Sequence, residues 1–507
     1  MTKGFVCTST EPIIETKAGK LRGFRLNDIY HFFGVDYGKA KRFEQPEPVD
    51  AWEGVKDALA YGYISYPYHP DSPNGDLMVP HRFWPKSEDC LNLNIWTPSL
   101  DKNAKKAVMV WLHGGGMADG SAVEMLAYDG YNISEYGDVV FVSVNHRLNV
   151  FGFLNVAKYG EKYKNSQNCG AADMALALQW VHDNIANFGG DPDCVTVIGQ
   201  SGGGKKVGAM MQVPAAHGLV HRAIIMSGTS GTPTGDFSYP DSTDIADQMV
   251  AKAGGFEKLL ELEPLALQDL ARQVTGNGRV SWGPVENEWF GKTIRNGATE
   301  NSKKIPLMVG TCVAEMSSFR FSVPGRQEMS EADKEALVYK QFGEENGKKL
   351  LEMFRKAYPD HDAVDAIVLD DNMRTTTLAL LDQRAADGSA PSYSYMFAYD
   401  FPVDDGKAAW HCSDIPFVFR NIDRVAVCNE AEVGERLQKQ MSEAWISFAK
   451  TGKPSSEDLP EWQPYTKGNE VTMIFDRTCR TAVNYDRDLV AYHKELEFVA
   501  ENPNMLM

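Results

Sequence analysis

The chain has 507 residues, of which 43% are hydrophobic and 24% are charged, and its formal net charge is −18. This composition is typical of a globular protein with enough apolar material for a large core. The acidic balance, without a dense cluster of lysine and arginine, argues against a nucleic-acid-binding protein and against attraction to anionic membranes.

The N-terminal region and the cysteines predict a cytoplasmic protein. Residues 1–19 contain no apolar segment of the kind that a signal peptide requires, and no later run reaches the roughly 18 apolar residues of a membrane span. The eight cysteines are scattered, without C-x-x-C pairs or the spacing of a metal site. We therefore expect reduced thiols and an intracellular location.

Apolar runs separated by helical segments predict the fold. Residues 13–38 alternate and turn at glycines, which indicates small antiparallel strands, and an irregular stretch follows at 61–85. Further strands are predicted at 107–112, 139–144, 195–198, 223–226, 305–309 and 393–399, and a helix at 171–187. Alternating strands and helices favour an α/β fold with a mostly parallel sheet that helices cover on both faces. Residues 331–358 are rich in helix formers, and we predict a helical insertion at 329–390 within a single domain that spans 1–507.

Ser201 is the first candidate catalytic residue. It lies in the sequence GQSGG at 199–203, between the strand at 195–198 and a short helical segment at 207–211. A serine that follows a strand and opens a helix, with small neighbours on both sides, matches the nucleophile elbow G-x-S-x-G. That pattern is common by chance, so its interpretation depends on partners elsewhere in the chain.

Glu315 and His411 are the predicted partners of that serine. A serine hydroxyl needs a base to accept its proton, and a carboxylate must orient the base. Glu315 follows the strand at 305–309, and His411 lies in a polar loop after the strand at 393–399. Because active-site residues of such sheets lie beyond the carboxyl ends of strands, we expect the three to meet. Asp414 is the competing carboxylate, but it stands only three residues after the histidine, which makes it a poor partner.

A glycine run supplies candidate hydrogen-bond donors for the negatively charged intermediate. His113 follows the strand at 107–112 and precedes Gly114, Gly115 and Gly116, whose backbone N–H groups no side chain obstructs. The N–H group of Gly202, directly after the serine, can add another donor. His113 itself is predicted to fix this loop.

Taken together, these features resemble the type-B carboxylesterases, the cholinesterase-like branch of the α/β-hydrolases. The resemblance rests on motifs spread over most of the chain: SEDCLNLN at 87–94, HGGG at 113–116, NHRL at 145–148, FGGDP at 188–192 and TGKP at 451–454. It implies an α/β-hydrolase fold, a triad of Ser201, Glu315 and His411, and oxyanion donors at Gly115, Gly116 and Gly202. We expect a bacterial intracellular member.

Several residues depart from the pattern of that family. Gln200 stands where the family commonly has glutamate, which removes a negative charge from the pocket and argues against choline esters. In secreted relatives the position of Cys90 forms a disulfide with an upstream cysteine, but the upstream cysteine here, Cys7, is much too early to match. Lys205 and Lys206 replace small residues; they are interpreted as solvent-facing or ion-paired, or alternatively as a site that favours acidic substrates.

The sequence thus predicts a serine carboxylesterase that acts on a small-molecule ester through an acyl-enzyme, with no metal and no cofactor. An amidase, a lactonase or an acyltransferase with the same triad and, more remotely, a non-catalytic adhesion or scaffold protein remain as alternatives. Side chains predicted to line the substrate pocket are Met117, Trp282, Phe319 and Trp410.

Overall fold

The computed structural model of the protein describes residues 4–69, 79–229, 239–276, 280–294, 297–317, 323–403 and 406–499. Its strands, in chain order, are β1 (Phe5–Val6), β2 (Ile13–Glu15), β3 (Lys20–Arg22), β4 (Phe24–Leu26), β5 (Ile29–Asp36), β6 (Gly38–Lys39), β7 (Glu47–Pro48), β8 (Val55–Asp57), β9 (Asn92–Thr97), β10 (Lys106–Leu112), β11 (Val140–Val144), β12 (Gly190–Gln200), β13 (Arg222–Met226), β14 (Leu307–Cys312), β15 (Ser392–Phe397), β16 (Val471–Phe475) and β17 (Arg480–Val483).

The largest sheet orders twelve strands as β1-β4-β5-β9-β11-β10-β12-β13-β14-β15-β16-β17. The seven consecutive strands from β11 to β16 in this order pair parallel with one another. The strands outside them, from β1 to β9 on one side and β17 on the other, pair antiparallel. The predicted α/β architecture with a mostly parallel sheet is confirmed.

Most predicted strands are present, with shifted ends. The strand predicted at 305–309 is β14, which begins only at Leu307, because the preceding Pro306 has no N–H group to donate to a neighbouring strand. The sequence interpretation missed β9, β16 and β17. In β9, Asn92 and Asn94 are buried in the sheet and the Asn94 amide donates to Ser143 Oγ at 3.2 Å, so polar residues interrupt its apolar run.

The predicted N-terminal antiparallel strands are also present. β2 pairs with β3, and β4 pairs with β5, both antiparallel. The second pair does not stand apart from the main sheet, because β5 continues antiparallel onto β9 and thereby extends the sheet at its edge.

The α-helices, in chain order, are α1 (Gly130–Gly137), α2 (Asn149–Phe153), α3 (Cys169–Asn184), α4 (Gly202–Gln212), α5 (Thr243–Ala253), α6 (Phe256–Leu260), α7 (Pro264–Thr275), α8 (Glu331–Phe342), α9 (Glu344–Ala357), α10 (Met373–Ala386), α11 (Ile415–Val418), α12 (Val433–Thr451) and α13 (Arg487–Glu495). The predicted helix at 171–187 is α3, followed by a short 3-10 turn.

Four strands of the main sheet are buried along their whole length. Every residue of β11, β14, β15 and β16 is buried, which requires that both faces of the sheet are covered. α3, α4 and α12 pack against β12, α1 packs against β11, and α10 packs against β14. The predicted insertion at 329–390 contains α8, α9 and α10, and its status as a separate unit stays a prediction. No helix in the described ranges combines the length and the apolar character needed to cross a bilayer.

Candidate active site

Ser201 occupies a sharp turn between β12 and α4. Its backbone has φ 57° and ψ −124°, a conformation that a residue with a side chain rarely adopts. The turn depends on its small neighbours: a Cβ placed on Gly199 would lie 2.4 Å from the Gly203 carbonyl carbon, and one on Gly203 would lie 2.0 Å from the Leu112 oxygen. The strand and helix can therefore approach only at glycine, and the serine side chain stays half-buried at the carboxyl edge of the sheet.

Backbone hydrogen bonds join the two loops that carry Glu315 and His411. Glu315 lies three residues beyond the end of β14, and His411 lies in the loop after β15. The backbone amide of Ala314 donates to the Ala409 carbonyl oxygen at 3.0 Å, and the backbone amide of His411 donates to the Glu315 carbonyl oxygen at 3.1 Å. This pairing sets the two side chains next to each other at the same edge of the sheet as Ser201.

The carboxylate of Glu315 holds the ring of His411. The distance between His411 Nδ1 and Glu315 Oε2 is 2.6 Å, and the second oxygen, Oε1, accepts the Cys312 amide at 2.7 Å. The Glu315 side chain has 0% exposure, whereas that of His411 has 25%. Since Nδ1 is bound to the acid, Nε2 is the ring nitrogen that can accept a proton from a nucleophile.

Gln200, the residue before Ser201, lies against the same histidine. Its Nε2 atom is 3.4 Å from both ring nitrogens of His411, and its Oε1 atom accepts a hydrogen bond from the Cys412 thiol at 3.0 Å. The side chain is buried. The amide therefore links the nucleophile strand to the histidine loop without adding a second negative charge beside the imidazole, a role that local sequence did not reveal.

Two further buried carboxyls surround Glu315. Burial, together with repulsion from Glu315, raises the pKa of Asp414 to about 7 and also raises that of Asp370. Asp414 accepts a hydrogen bond from the Tyr395 hydroxyl at 3.0 Å, and Asp370 accepts the backbone amides at the start of α10. Asp414, the competing acid, is thus engaged elsewhere, and the contact with His411 Nδ1 belongs to Glu315.

The glycine loop lies directly against the serine turn. A Cβ on Gly114 would lie 3.5 Å from Ser201 Cβ, and a Cβ on Gly202 would lie 2.4 Å from the Gly116 nitrogen. Gly115 and Gly116 have φ values of 81° and 63°, which glycine adopts without strain. Considering acceptors in the described ranges only, the N–H groups of Gly115, Gly116 and Gly202 donate no hydrogen bond. Three amides near the serine are therefore available to a ligand.

Replacing Gly202 by alanine should lower kcat about 100- to 1,000-fold. The new Cβ would overlap the Gly116 backbone and push the glycine loop away from the serine. If these amides bind an oxyanion, as the sequence predicts, the loss of one donor costs about 3 kcal/mol or more. Steady-state kinetics on an aryl ester, together with the melting temperature, measures the effect. An alanine variant with unchanged kcat would contradict the proximity of the two amides.

A small apolar cavity of about 40 Å³ adjoins the serine turn. Its lining combines the start of α4 with apolar side chains from later loops: Met117, Gly204, Lys205, Tyr239, Phe290 and Leu380 are among the residues that form it. Of the predicted pocket residues, Met117 lies on this cavity. Trp282 is buried against Tyr68, Trp410 is buried against Phe401 with ring centroids 4.3 Å apart, and Phe319 lies outside the described residues.

A potential metal-binding group lies outside this site. Ligand atoms of His361, Asp365 and Asp400 lie within 4.8 Å of one another. The Arg326 guanidinium, however, donates to both oxygens of Asp365 at 2.9 and 3.1 Å, and His361 Nε2 is 2.9 Å from Asp476 Oδ2. The Arg326 guanidinium thus supplies the positive charge beside these carboxylates, and the cluster is explained as a buried ion-pair network.

Comparison with known proteins identifies relatives over nearly the whole chain. A sequence model described as the carboxylesterase family matches residues 10–492. The para-nitrobenzyl esterase of Bacillus subtilis (strain 168) is 34% identical over 494 residues, which cover 92% of this chain and 95% of that protein. The phenmedipham hydrolase of Pseudarthrobacter oxydans is 30% identical over 491 residues, with coverage of 92% and 95%.

A solved structure is similar in three dimensions as well. An esterase from Clostridium hathewayi, described as able to hydrolyse aliphatic aromatic polyesters, superimposes with a TM-score of 0.92 at 43% sequence identity. The match covers 98% of this chain and 100% of that chain.

Proposed function

This chain belongs to the carboxylesterase family and is a carboxylic ester hydrolase, and we propose that Ser201, Glu315 and His411 are its catalytic triad. The observation that carries this proposal is the 2.6 Å contact between His411 Nδ1 and buried Glu315, at the sheet edge where the serine turn also lies. We further propose that the free amides of Gly115, Gly116 and Gly202 form the oxyanion hole.

The proposed reaction has two halves. Ser201 Oγ attacks the ester carbonyl while His411 Nε2 accepts its proton, and the oxyanion of the tetrahedral intermediate accepts hydrogen bonds from the three amides. The imidazolium then protonates the departing alkoxide, which leaves as the alcohol and gives an acyl-serine. A water molecule that gives its proton to His411 attacks the acyl-serine, and collapse of the second intermediate returns the proton to Ser201 and releases the acid.

We propose esters with a short, apolar acyl group as the preferred substrates. The cavity beside the serine turn is lined almost entirely by apolar atoms and has a volume of about 40 Å³, which is roughly the space of three water molecules. The small size and apolar lining of this cavity favour a short apolar acyl group over a long or charged one. The similarity to an esterase described as able to hydrolyse aliphatic aromatic polyesters supports esters with aliphatic and aromatic parts as a substrate class.

We propose that the protein acts in the cytoplasm on small molecules. All eight cysteines are free thiols, and Cys90, Cys169, Cys312 and Cys428 are buried. A chain of this size with many cysteines and no disulfide is typical of a reducing compartment. The net charge of −18 makes nucleic acid an unfavourable partner.

A substrate panel tests the proposed activity. p-Nitrophenyl acetate, butyrate and octanoate, a p-nitroanilide, a lactone and an aliphatic aromatic polyester film are each incubated with the enzyme. We expect the acetate and butyrate esters to give the highest kcat/KM, and the anilide to react at least 100-fold more slowly, because an amine is the poorer leaving group. A dominant anilide or lactone activity would assign the triad to an amidase or a lactonase, and no turnover of any member would favour a non-catalytic protein.

The value of kcat/KM should fall on acidification through roughly pH 6–7. The proposed mechanism requires neutral His411, and an imidazole has an ordinary pKa of about 6.5. The loss should approach tenfold per pH unit below that range, because the proton occupies Nε2 before the serine can transfer its own. Initial rates with p-nitrophenyl acetate measure the profile, and a rate that stays flat down to pH 4 would contradict the role of His411.

A further inference from the structure

The ammonium group of Lys206 is buried beneath the glycine loop. Lys206 lies in α4, five residues after Ser201, and none of its surface is exposed. Its Nζ atom donates to the His113 oxygen at 2.8 Å, the one hydrogen-bond acceptor that the described ranges offer it. The interpretation of this residue as solvent-facing is therefore wrong. Its neighbour Lys205 is half-buried and lines the cavity.

This placement is energetically unfavourable for a lysine. An ammonium group loses its hydration on burial, and the N-terminal part of α4 adds the positive end of the helix dipole. Burial lowers the pKa of Lys206 to about 7, although the negative charges of Glu124 and Asp119 oppose that shift. An apolar side chain of similar length would avoid this cost, but it could not donate the hydrogen bond that Lys206 Nζ gives to the His113 oxygen.

The carbonyl that Lys206 holds belongs to the peptide bond between His113 and Gly114. That peptide is the entry to the loop of three glycines, whose backbone has the widest conformational freedom of any residue type. A charge-assisted hydrogen bond to the carbonyl fixes the peptide plane from which the loop starts. The same carbonyl lies against the serine turn, since a Cβ placed on Gly203 would lie 3.0 Å from the His113 oxygen.

We propose that Lys206 is a positioning residue of the oxyanion hole: it fixes the His113 carbonyl, and with it the glycine loop that presents the Gly115 and Gly116 amides. This inference rests on the proposed function, since it assigns Lys206 a part in the proposed hole. Lys206 itself touches neither the substrate nor the nucleophile.

The groups around Lys206 determine how its charge depends on pH. His113 and His146 stack with ring centroids 5.0 Å apart, and burial beside the lysine lowers the pKa of both well below the ordinary histidine value. The two imidazoles therefore stay neutral, and Glu124 and Asp119 supply the facing negative charges. Above neutral pH the amine loses its proton, so its hold on the carbonyl weakens.

The test compares Lys206→Met with wild type and with Arg384→Met. Methionine keeps the length and flexibility of lysine without the charge. Arg384 is the matched control, because it is also a buried cation whose guanidinium donates to backbone oxygens, at 2.7 Å to Ile305. Ile305 precedes β14, so this control lies at the amino end of a strand, away from the serine. Melting temperatures establish that each variant is folded.

We expect Lys206→Met to lower kcat on p-nitrophenyl acetate about tenfold or more, with KM unchanged within about twofold. A trifluoromethyl ketone, which forms a tetrahedral adduct with an oxyanion, should bind it more weakly by a similar factor. Arg384→Met should change neither value. A Lys206→Met enzyme with wild-type kcat and wild-type ketone affinity would overturn the proposal, as would equal losses in both variants.

If Lys206→Met does not fold, the pH dependence of kcat of the wild-type enzyme tests the proposal instead. Its kcat should fall at least threefold between pH 7 and pH 9 while its fluorescence shows that it stays folded, and a constant or rising kcat over that interval overturns the proposal. Labelling with a fluorophosphonate distinguishes a failure of the proposed function from a failure of the role proposed for Lys206. If wild type is not labelled at Ser201, the proposed function fails; if it is labelled and kcat does not respond to Lys206, only the role of Lys206 fails.

Discussion

Replacing Ser201 by alanine should lower kcat/KM on p-nitrophenyl acetate by about 10⁴- to 10⁶-fold, the range seen when a serine nucleophile is removed from such a triad. Alanine has no atom that can attack the carbonyl, so no acyl-enzyme forms. The fold should survive, because alanine adds no volume and tolerates the backbone conformation at φ 57° about as well as serine does. The variant should also fail to react with a fluorophosphonate, which wild type should incorporate at one label per chain.

Ser227→Ala is the matched control for that experiment. Ser227 follows the neighbouring strand β13, has a positive φ of 47°, and its hydroxyl oxygen is buried without a hydrogen-bond partner in the described ranges. The same substitution at this second strained serine should leave kcat within a few-fold of wild type. Full activity of Ser201→Ala would refute the proposed nucleophile, and a comparable loss in Ser227→Ala would show that the effect is conformational.

Replacing Glu315 by glutamine should lower kcat by about 10³- to 10⁴-fold, because the substitution reverses the tautomer of the histidine. Glu315 Oε1 accepts the Cys312 amide, so the oxygen of the new side chain must occupy that position. The NH₂ group then faces His411 Nδ1 and donates to it, which moves the ring proton to Nε2. With its Nε2 lone pair blocked, the imidazole cannot accept the serine proton. Kinetics on an aryl ester and the histidine ring signals in NMR measure both effects.

Asp414→Asn tests whether the neighbouring acid has the same role. Asp414 is buried, and its raised pKa of about 7 means that much of it is neutral near physiological pH. An amide of the same shape can still accept the Tyr395 hydroxyl that now bonds Oδ2 at 3.0 Å. We expect kcat within about threefold of wild type. If Asp414→Asn abolished activity and Glu315→Gln did not, the orienting acid would be Asp414.

Local sequence patterns were sufficient for most of the parallel strands and for the serine turn. The apolar run at 195–198 and the glycines beside Ser201 report on backbone conformation within a few residues, and such signals depend little on the rest of the chain. The same logic failed for β9, where Asn94 is buried because it finds a partner on the adjacent strand. Buried polar residues of this kind are invisible to an apolar pattern.

Two arguments were enough to name Ser201, Glu315 and His411 as candidates: the chemistry of a serine nucleophile, which needs a base and an acid, and the rule that active sites lie beyond the carboxyl ends of strands. That Glu315 and His411 are in contact could be seen only from the arrangement of the strands in the sheet. Glu315 and His411 are 96 residues apart and meet because β14 and β15 are parallel neighbours whose following loops exchange backbone hydrogen bonds. Only this pairing places Glu315, and not Asp414, against Nδ1.

Patterns of adjacent residues were therefore enough to predict the fold class, the serine turn and the catalytic candidates, because periodicity and turn chemistry are properties of neighbours in the chain. The contacts of Gln200 and Lys206, in contrast, became visible only in the folded chain. Gln200 meets His411 across 211 residues of sequence, and Lys206 meets the His113 carbonyl across 93. Whether a polar side chain faces solvent or a buried carbonyl depends on which strands and loops pack above it, and that is fixed by contacts between distant parts of the chain.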